Sequence, residues 1–291
     1  MNDTTTPAPA SEETVAPKII LQGPISTGKS FALRTLVKPG RETFVLQTEP
    51  SEVLDDLSCS QGLHLMRAFP AQVDLQTLIQ NAQRINTMTM DALQKIQDPN
   101  RYKYTQFIDI LNALQKFVCY RCKKDFGGFE LWGVNRTLAI DGMSGLSQTA
   151  LDLVCGAKPI RTQPEWGCAM DNLERFLQFV CMNAYSVFVL IAHIERETDE
   201  TTGGSKNMMA TLGRKLAPKL PRYFSDIILT KRSIGPDGKP KYYWSTSDTL
   251  TELKNRNLPF SDSLSPDFTP LLATWQGRLD KAIKSNTPIV A

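Results

Sequence analysis

The sequence has no long hydrophobic run. Its longest uninterrupted apolar segment, Val187 to Ala192, falls far short of the roughly 20 residues needed to span a bilayer, so no membrane-spanning helix is expected. Charge of one sign is also scarce. With 33 Lys+Arg against 30 Asp+Glu, the formal net charge over 291 residues is only +3. Coating of nucleic acid by bulk charge is excluded, and any such contact must use a local patch. Cysteine is sparse: six residues in a chain of this length cannot form a disulfide scaffold. Cys59, Cys155, Cys168 and Cys181 are scattered, mostly among apolar neighbours, and read as buried thiols in a reducing cytoplasm. There are two histidines and no internal repeat.

What is present is ordinary for a globular protein. Apolar residues make up 41% and charged residues 22%, enough to bury a sizeable core. Residues 1–16 are rich in Thr, Pro, Ala and Glu, lack Lys and Arg, and carry no apolar segment. They read as a disordered tail rather than a signal peptide.

Strands and helices then alternate. Lys18–Gln22, Thr43–Thr48, Leu63–Ala68, Arg136–Asp141, Ser186–Ala192, Asp226–Thr230 and Lys241–Ser245 read as strands. The last two flank Gly235-Pro-Asp-Gly238, a hairpin-type turn, and are expected to form an antiparallel extension at one sheet edge. Helical spacing marks Ser30–Val37, Gln72–Gln97, Tyr104–Val118 and Pro164–Met182. Glu195 to Met209 is polar and contains Gly203-Gly204, and reads as a mobile loop. The pattern predicts an α/β fold with a mainly parallel sheet flanked by helices. Its core is expected over residues 17–259, with a helical insertion at about 72–132 and a C-terminal extension over 260–291 that holds one helix, Pro270 to Ile283.

Gly23-Pro24-Ile25-Ser26-Thr27-Gly28-Lys29-Ser30 matches the G-x-x-x-x-G-K-[ST] phosphate loop, between an expected strand and an expected helix. Residue usage alone produces this pattern in roughly one chain in a hundred. Its glycines let backbone N–H groups wrap toward phosphate oxygens. Lys29 supplies a compact positive charge, Ser30 a hydroxyl for Mg2+, and the helix start, with Phe31, faces the anion. The expected ligand is ATP with Mg2+. Asp141, ending an apolar strand, is the acid expected to hold the metal; the alternative is a cap for the next helix, because Asp141-Gly142 is also good turn chemistry.

The loop, Glu49 after the second strand, Leu138-Ala-Ile-Asp141 and the strand ending in Ala192-His193 together resemble the RecA/KaiC-like P-loop ATPases, in particular the phage nucleotide-binding proteins of single-strand annealing recombination. The resemblance covers about Pro17 to Pro259. It implies a RecA-like P-loop NTPase core that hydrolyses ATP and acts on single-stranded DNA. Glu49 would orient the attacking water, and a solvated turn residue is the alternative. His193 would sense the γ-phosphate and pass its state to a DNA-facing loop, with a core histidine as the alternative.

Beyond that loop the chain turns basic. Arg214, Lys215, Lys219 and Arg222, with Tyr223 and Phe224 among them, could hold a single strand by phosphate pairing and base stacking. A solvated charged face is the alternative. Lys231-Arg232 resembles the basic finger that such subunits insert into a neighbour's ATP site, which implies a homo-oligomer with ATP near the subunit interface. A single-strand-binding protein is a further implied partner, and the host cytoplasm the implied compartment for a phage protein. Glu252-Leu-Lys-Asn-Arg256-Asn-Leu-Pro259 has no assigned role.

Two other P-loop readings stay open: a nucleotide or small-molecule kinase whose lid is the Arg214–Arg232 segment, and a DnaB-like helicase motor. An adaptor that binds ATP and rarely hydrolyses it is a third. Cys119-Tyr-Arg-Cys122 is a lone C-x-x-C without a second pair nearby; it reads as a helix end with Lys123 and Lys124 at the C-terminus rather than a zinc site.

Overall fold

A computed structural model describes residues 15–198, 204–213 and 215–285. The expected tail therefore lies almost wholly outside the described residues. An eight-stranded sheet organises the rest: β1 (Lys18–Gly23), β2 (Glu42–Gln47), β3 (Leu63–Arg67), β4 (Arg136–Asp141), β5 (Val187–Thr198), β6 (Ser205–Met209), β7 (Asp226–Ile234) and β8 (Pro240–Ser245). The order is β3-β2-β4-β5-β1-β7-β8, with β6 paired to β5. Strands β3 through β7 along that path are parallel neighbours, and only β8 and β6 add antiparallel. The fold is thus α/β with a mostly parallel mixed sheet. The edge extension is narrower than expected, since β7 itself joins the parallel set.

The reason the sheet sits centrally is visible in its side-chain alternation. Ile20, Phe44, Leu138 and Phe188 point to one face and enter one apolar cluster; Ile19, Val45, Ala139 and Val189 point to the other and enter a second. Cross-strand partners agree, for Phe44 pairs Leu138 and Val45 pairs Ala139. Both faces are therefore covered, as parallel strands with continuous apolar runs require. Helices α4 (Gln106–Gln115), α5 (Met143–Cys155) and α6 (Gln163–Asn183) cover the first face. Helix α7 (Thr269–Ser285) covers the second with Phe268, Leu271 and Trp275, so residues 260–285 complete the core rather than extend from it.

Several elements depart from expectation. The helix after the glycine-rich loop is short: α1 (Lys29–Ala32) tightens into a 3-10 turn over Leu33–Leu36. The insertion holds α2 (Leu75–Thr87) and α3 (Met90–Lys95), each capped by a side chain, Asp74 and Thr89. No residue of α2 is buried; its apolar stripe of Leu75, Leu78, Ile79 and Ile85 faces outward. Much of the expected loop Glu195–Met209 is strand: β5 continues to Thr198 and pairs antiparallel with Ser205–Met209 of β6, while residues 199–203 lie outside the described residues. The 252–259 segment has a structural task. Backbone N–H groups of Arg256 and Asn257 donate to the buried Asp226 carboxylate at 2.9 and 2.8 Å, and Lys254 bridges Ile227. No helix among the described residues is long and apolar enough to cross a membrane.

Candidate functional site

Residues Gly23 to Ser30 connect β1 to α1. Gly28 has φ +81° and Ser26 φ +60°, so the chain turns through left-handed conformations twice. Gly23 is required for a different reason from backbone freedom. A Cβ there would lie 2.1 Å from Thr230 Oγ1 and 2.6 Å from Thr230 O, so only glycine lets the loop press against β7. The Thr27 and Thr230 hydroxyls bond at 2.6 Å and fasten the loop to that strand. Thr230 was not legible as a partner, since it is 203 residues away.

Lys29 is 5% exposed and lies within the loop, its Nζ donating to Gly23 O at 2.9 Å and Pro24 O at 2.6 Å. Its third neighbour is His193 Nδ1 at 3.3 Å. Parallel register explains this proximity, because Gly23 pairs with His193 across β1 and β5.

The carboxyl ends of β2 and β4 bring the acids alongside. Ser30 Oγ donates to Asp141 Oδ1 at 2.7 Å. Asp141 is not a helix cap: the residue before α5 is Gly142, and α5 has no side-chain cap. Asp141 Oδ2 is buried and has no hydrogen-bond partner among the described residues. Glu49 accepts the Gly145 N–H at 3.0 Å through one oxygen, and its other oxygen lies 3.7 Å from His193 Nε2. It is thus tied in place rather than a free turn residue. Gly145 makes this possible, since a Cβ there would lie 2.2 Å from Thr48 O. His193 is partly exposed, bridges Lys29 and Glu49, and is not a core histidine.

Electrostatics follow from this enclosure. Burial raises the Asp141 carboxyl to about 6, with nearby Glu49 adding to the rise and Ser30 and Lys29 opposing it. Burial lowers Lys29 to about 8 against the pull of Asp141 and Glu49. The group therefore carries a carboxylate oxygen with spare acceptor capacity, a hydroxyl beside it, and an ammonium on the other side. Such a set can hold a hard divalent cation and an anion together. The orphaned Asp141 Oδ2 is the observation that fits Mg2+ to Ser30 and Asp141.

The other sequence-predicted residues lie elsewhere. Pro24, Ile25 and Ser26 are exposed on the loop, and Phe31 is exposed with Arg34 stacked over its ring. Lys219 and Arg222 both bond to Glu174 of α6, at 2.7 and 2.6 Å. Lys215 is exposed, and Arg214 lies outside the described residues. Lys231 is held by Asp248 and Asp262 of its own chain at 3.2 and 2.7 Å, while Arg232 is exposed. Sequence reasoning did not reveal a cavity of about 640 Å³ between α5 and the β5–β6 hairpin, lined by Ser144, Gln148, Trp166, Arg196 and Thr211.

No protein-family model matches this chain, and no curated protein matches it.

Proposed function

We propose that this chain binds and hydrolyses ATP on a RecA/KaiC-like P-loop core, and acts on single-stranded DNA in phage-type recombination or annealing. One observation carries the reading: Lys29, Ser30, Glu49, Asp141 and His193, from four separate segments, converge at the carboxyl edge of a parallel sheet. That edge is where ligands bind in open α/β sheets. The strand carrying His193, β5, lies between the loop strand β1 and β4, which ends in Asp141, and its parallel pairing with β1 stops at His193, which agrees with a central-strand sensor.

The residues divide the work by chemistry. Loop N–H groups and Lys29 bind the phosphates, and the 3.3 Å approach of His193 to Lys29 puts the imidazole beside the terminal phosphate's counter-charge. Mg2+, when held by Ser30 and Asp141, neutralises phosphate charge. Glu49 accepts a proton from the attacking water, and Gly145 N–H orients its carboxylate. His193 reaches both Lys29 and Glu49 and sits on the strand that runs on into the β5–β6 hairpin. A phosphate-dependent shift of His193 is thereby passed to that hairpin. The engagement of Lys219 and Arg222 with Glu174 disfavours a free kinase lid and makes these cations available to DNA only when Glu174 releases them. In a homo-oligomer, Arg232 rather than Lys231 would be the finger toward a neighbouring ATP.

The test is ATP hydrolysis with and without single-stranded DNA over a range of salt. Stimulation that weakens as salt rises is expected, because phosphate contacts release counterions. Protein that binds ATP yet releases no phosphate in either condition would sink the reading, as would transfer of phosphate to an added nucleoside monophosphate.

The pH profile is a second expected result. Asp141 is charged only above about 6, so metal-dependent activity should fall as pH drops through that value. Lys29 is charged only below about 8, so activity should fall again as pH rises through it. A bell-shaped kcat/KM with limbs near these values reports the free protein's groups. A flat profile between pH 5 and 9, about one unit beyond each limb, would contradict both assignments.

A further inference from the structure

At the opposite, amino-terminal end of the sheet, four soft ligands converge. Cys59 sits on a 3-10 turn before β3, His64 is the second residue of β3, and Cys119 and Cys122 lie in the turn after α4. Their ligand atoms all lie within 4.8 Å of one another. Cys59 and Cys119 Sγ are 3.7 Å apart, and Cys122 Sγ is 3.8 Å from His64 Nδ1. A tetrahedral zinc with ordinary Zn–S and Zn–N bonds has ligand-to-ligand edges of about 3.5–3.8 Å. The cluster is therefore close to the size of a metal-bound tetrahedron. We propose that Cys59, His64, Cys119 and Cys122 form a structural zinc site.

The surroundings are built for such an ion. The second ring nitrogen of His64, Nε2, faces Glu42 Oε1 at 3.8 Å, and the other Glu42 oxygen accepts from Arg136 at 2.8 Å. A carboxylate behind a ligating histidine sets its tautomer and ring orientation. The C-x-x-C segment is a tight turn, not a helix end: Val118 bridges Asp125, Lys123 has φ +60°, and its N–H donates to Cys119 O at 2.9 Å. Three thiolates, a neutral imidazole and a zinc ion leave one negative charge, and Arg121, Lys124 and Arg136 all act on His64 from nearby. All four positions are filled by protein, which marks a closed structural site rather than a catalytic one. The ion would pin the 59–62 turn and the 118–125 turn to the edge strand β3, where Phe44 and Phe126 pack on the His64 ring. The C-x-x-C stands alone in the sequence because the two groups that join it, Cys59 and His64, lie about sixty residues upstream.

Metal content of the full-length protein, purified under reducing conditions without chelator, tests this. About one zinc per chain is expected. Cys119→Ser should weaken zinc retention at least about tenfold, the lower range seen when even an outer-shell partner is lost. Cys168→Ser, at an exposed cysteine outside the cluster, should leave it unchanged. Should Cys119→Ser fail to fold, cobalt(II) titration of the unaltered protein decides. Intense visible bands with thiolate-to-cobalt charge transfer at one equivalent support the site. Absence of retained zinc after incubation with zinc, a cobalt spectrum without thiolate charge transfer, or a Cys59–Cys119 disulfide in freshly isolated protein would each overturn it.

Discussion

Glu49→Gln is expected to keep ATP binding and to lose hydrolysis by about 10²–10⁴-fold, the range a positioned general base contributes. The amide preserves the shape of the carboxylate and can still accept the Gly145 N–H, so the loop and α5 stay together. It cannot take a proton from water. Lys29→Ala acts one step earlier. It removes the ammonium that lies between Gly23 O, Pro24 O and His193, and nucleotide binding itself should be lost. The pair separates roles: fluorescent nucleotide titration should distinguish the two variants, and single-turnover hydrolysis should show both inactive. A Glu49→Gln protein that hydrolyses ATP at the original rate would remove Glu49 from the chemistry and leave it as a tether for Gly145.

Trp275→Ala should cost about 3–5 kcal/mol of folding stability, the usual range for deleting a large buried aromatic side chain. Trp275 is 0% exposed and packs in the second apolar cluster with Phe268, Leu271 and the sheet residues Ile19 and Leu21. Its indole Nε1 is buried with no hydrogen-bond partner among the described residues. Trp275→Phe should therefore cost far less, because the ring volume largely remains and no hydrogen bond is lost. Urea unfolding of both variants checks this. A loss below about 1 kcal/mol for the alanine variant would mean that α7 contributes little to the core.

The glycine-rich loop and Trp275 also show where local pattern was informative and where it was not. Lys29 and Ser30 are recognisable because the phosphate-loop signature is contiguous, and its spacing reflects backbone geometry over eight neighbouring residues. Strand positions were readable for the same reason: β1, β4 and the first half of β5 are short apolar runs. Trp275 offered no such signal. Its helix was readable, but the segment looked like an appendage because Ser, Pro and Asp surround it. It is buried in a cluster that includes the sheet residues Leu21 and Ile19, some 250 positions earlier.

The reverse error occurred at α2. Leu75, Leu78, Ile79 and Ile85 have the spacing of a core-facing helix, yet no residue of α2 is buried. Spacing reports which side chains share a face; it does not report whether anything covers that face. At Glu195–Met209, polarity and paired glycines suggested a loop, whereas pairing between β5 and β6 supplies the backbone partners a ladder needs.

Sequence alone settled the α/β class, most strand positions and the glycine-rich loop, because each is written in residues that are neighbours along the chain. Tertiary structure decided which distant groups meet: Thr230 against Gly23, Glu49 against Gly145 and His193, and Cys59 with His64 beside Cys119 and Cys122. Parallel register is the physical reason. It sets Gly23 beside His193 and Gln47 beside Asp141, and so converts separations of about 90 to 170 positions into contacts of a few ångströms.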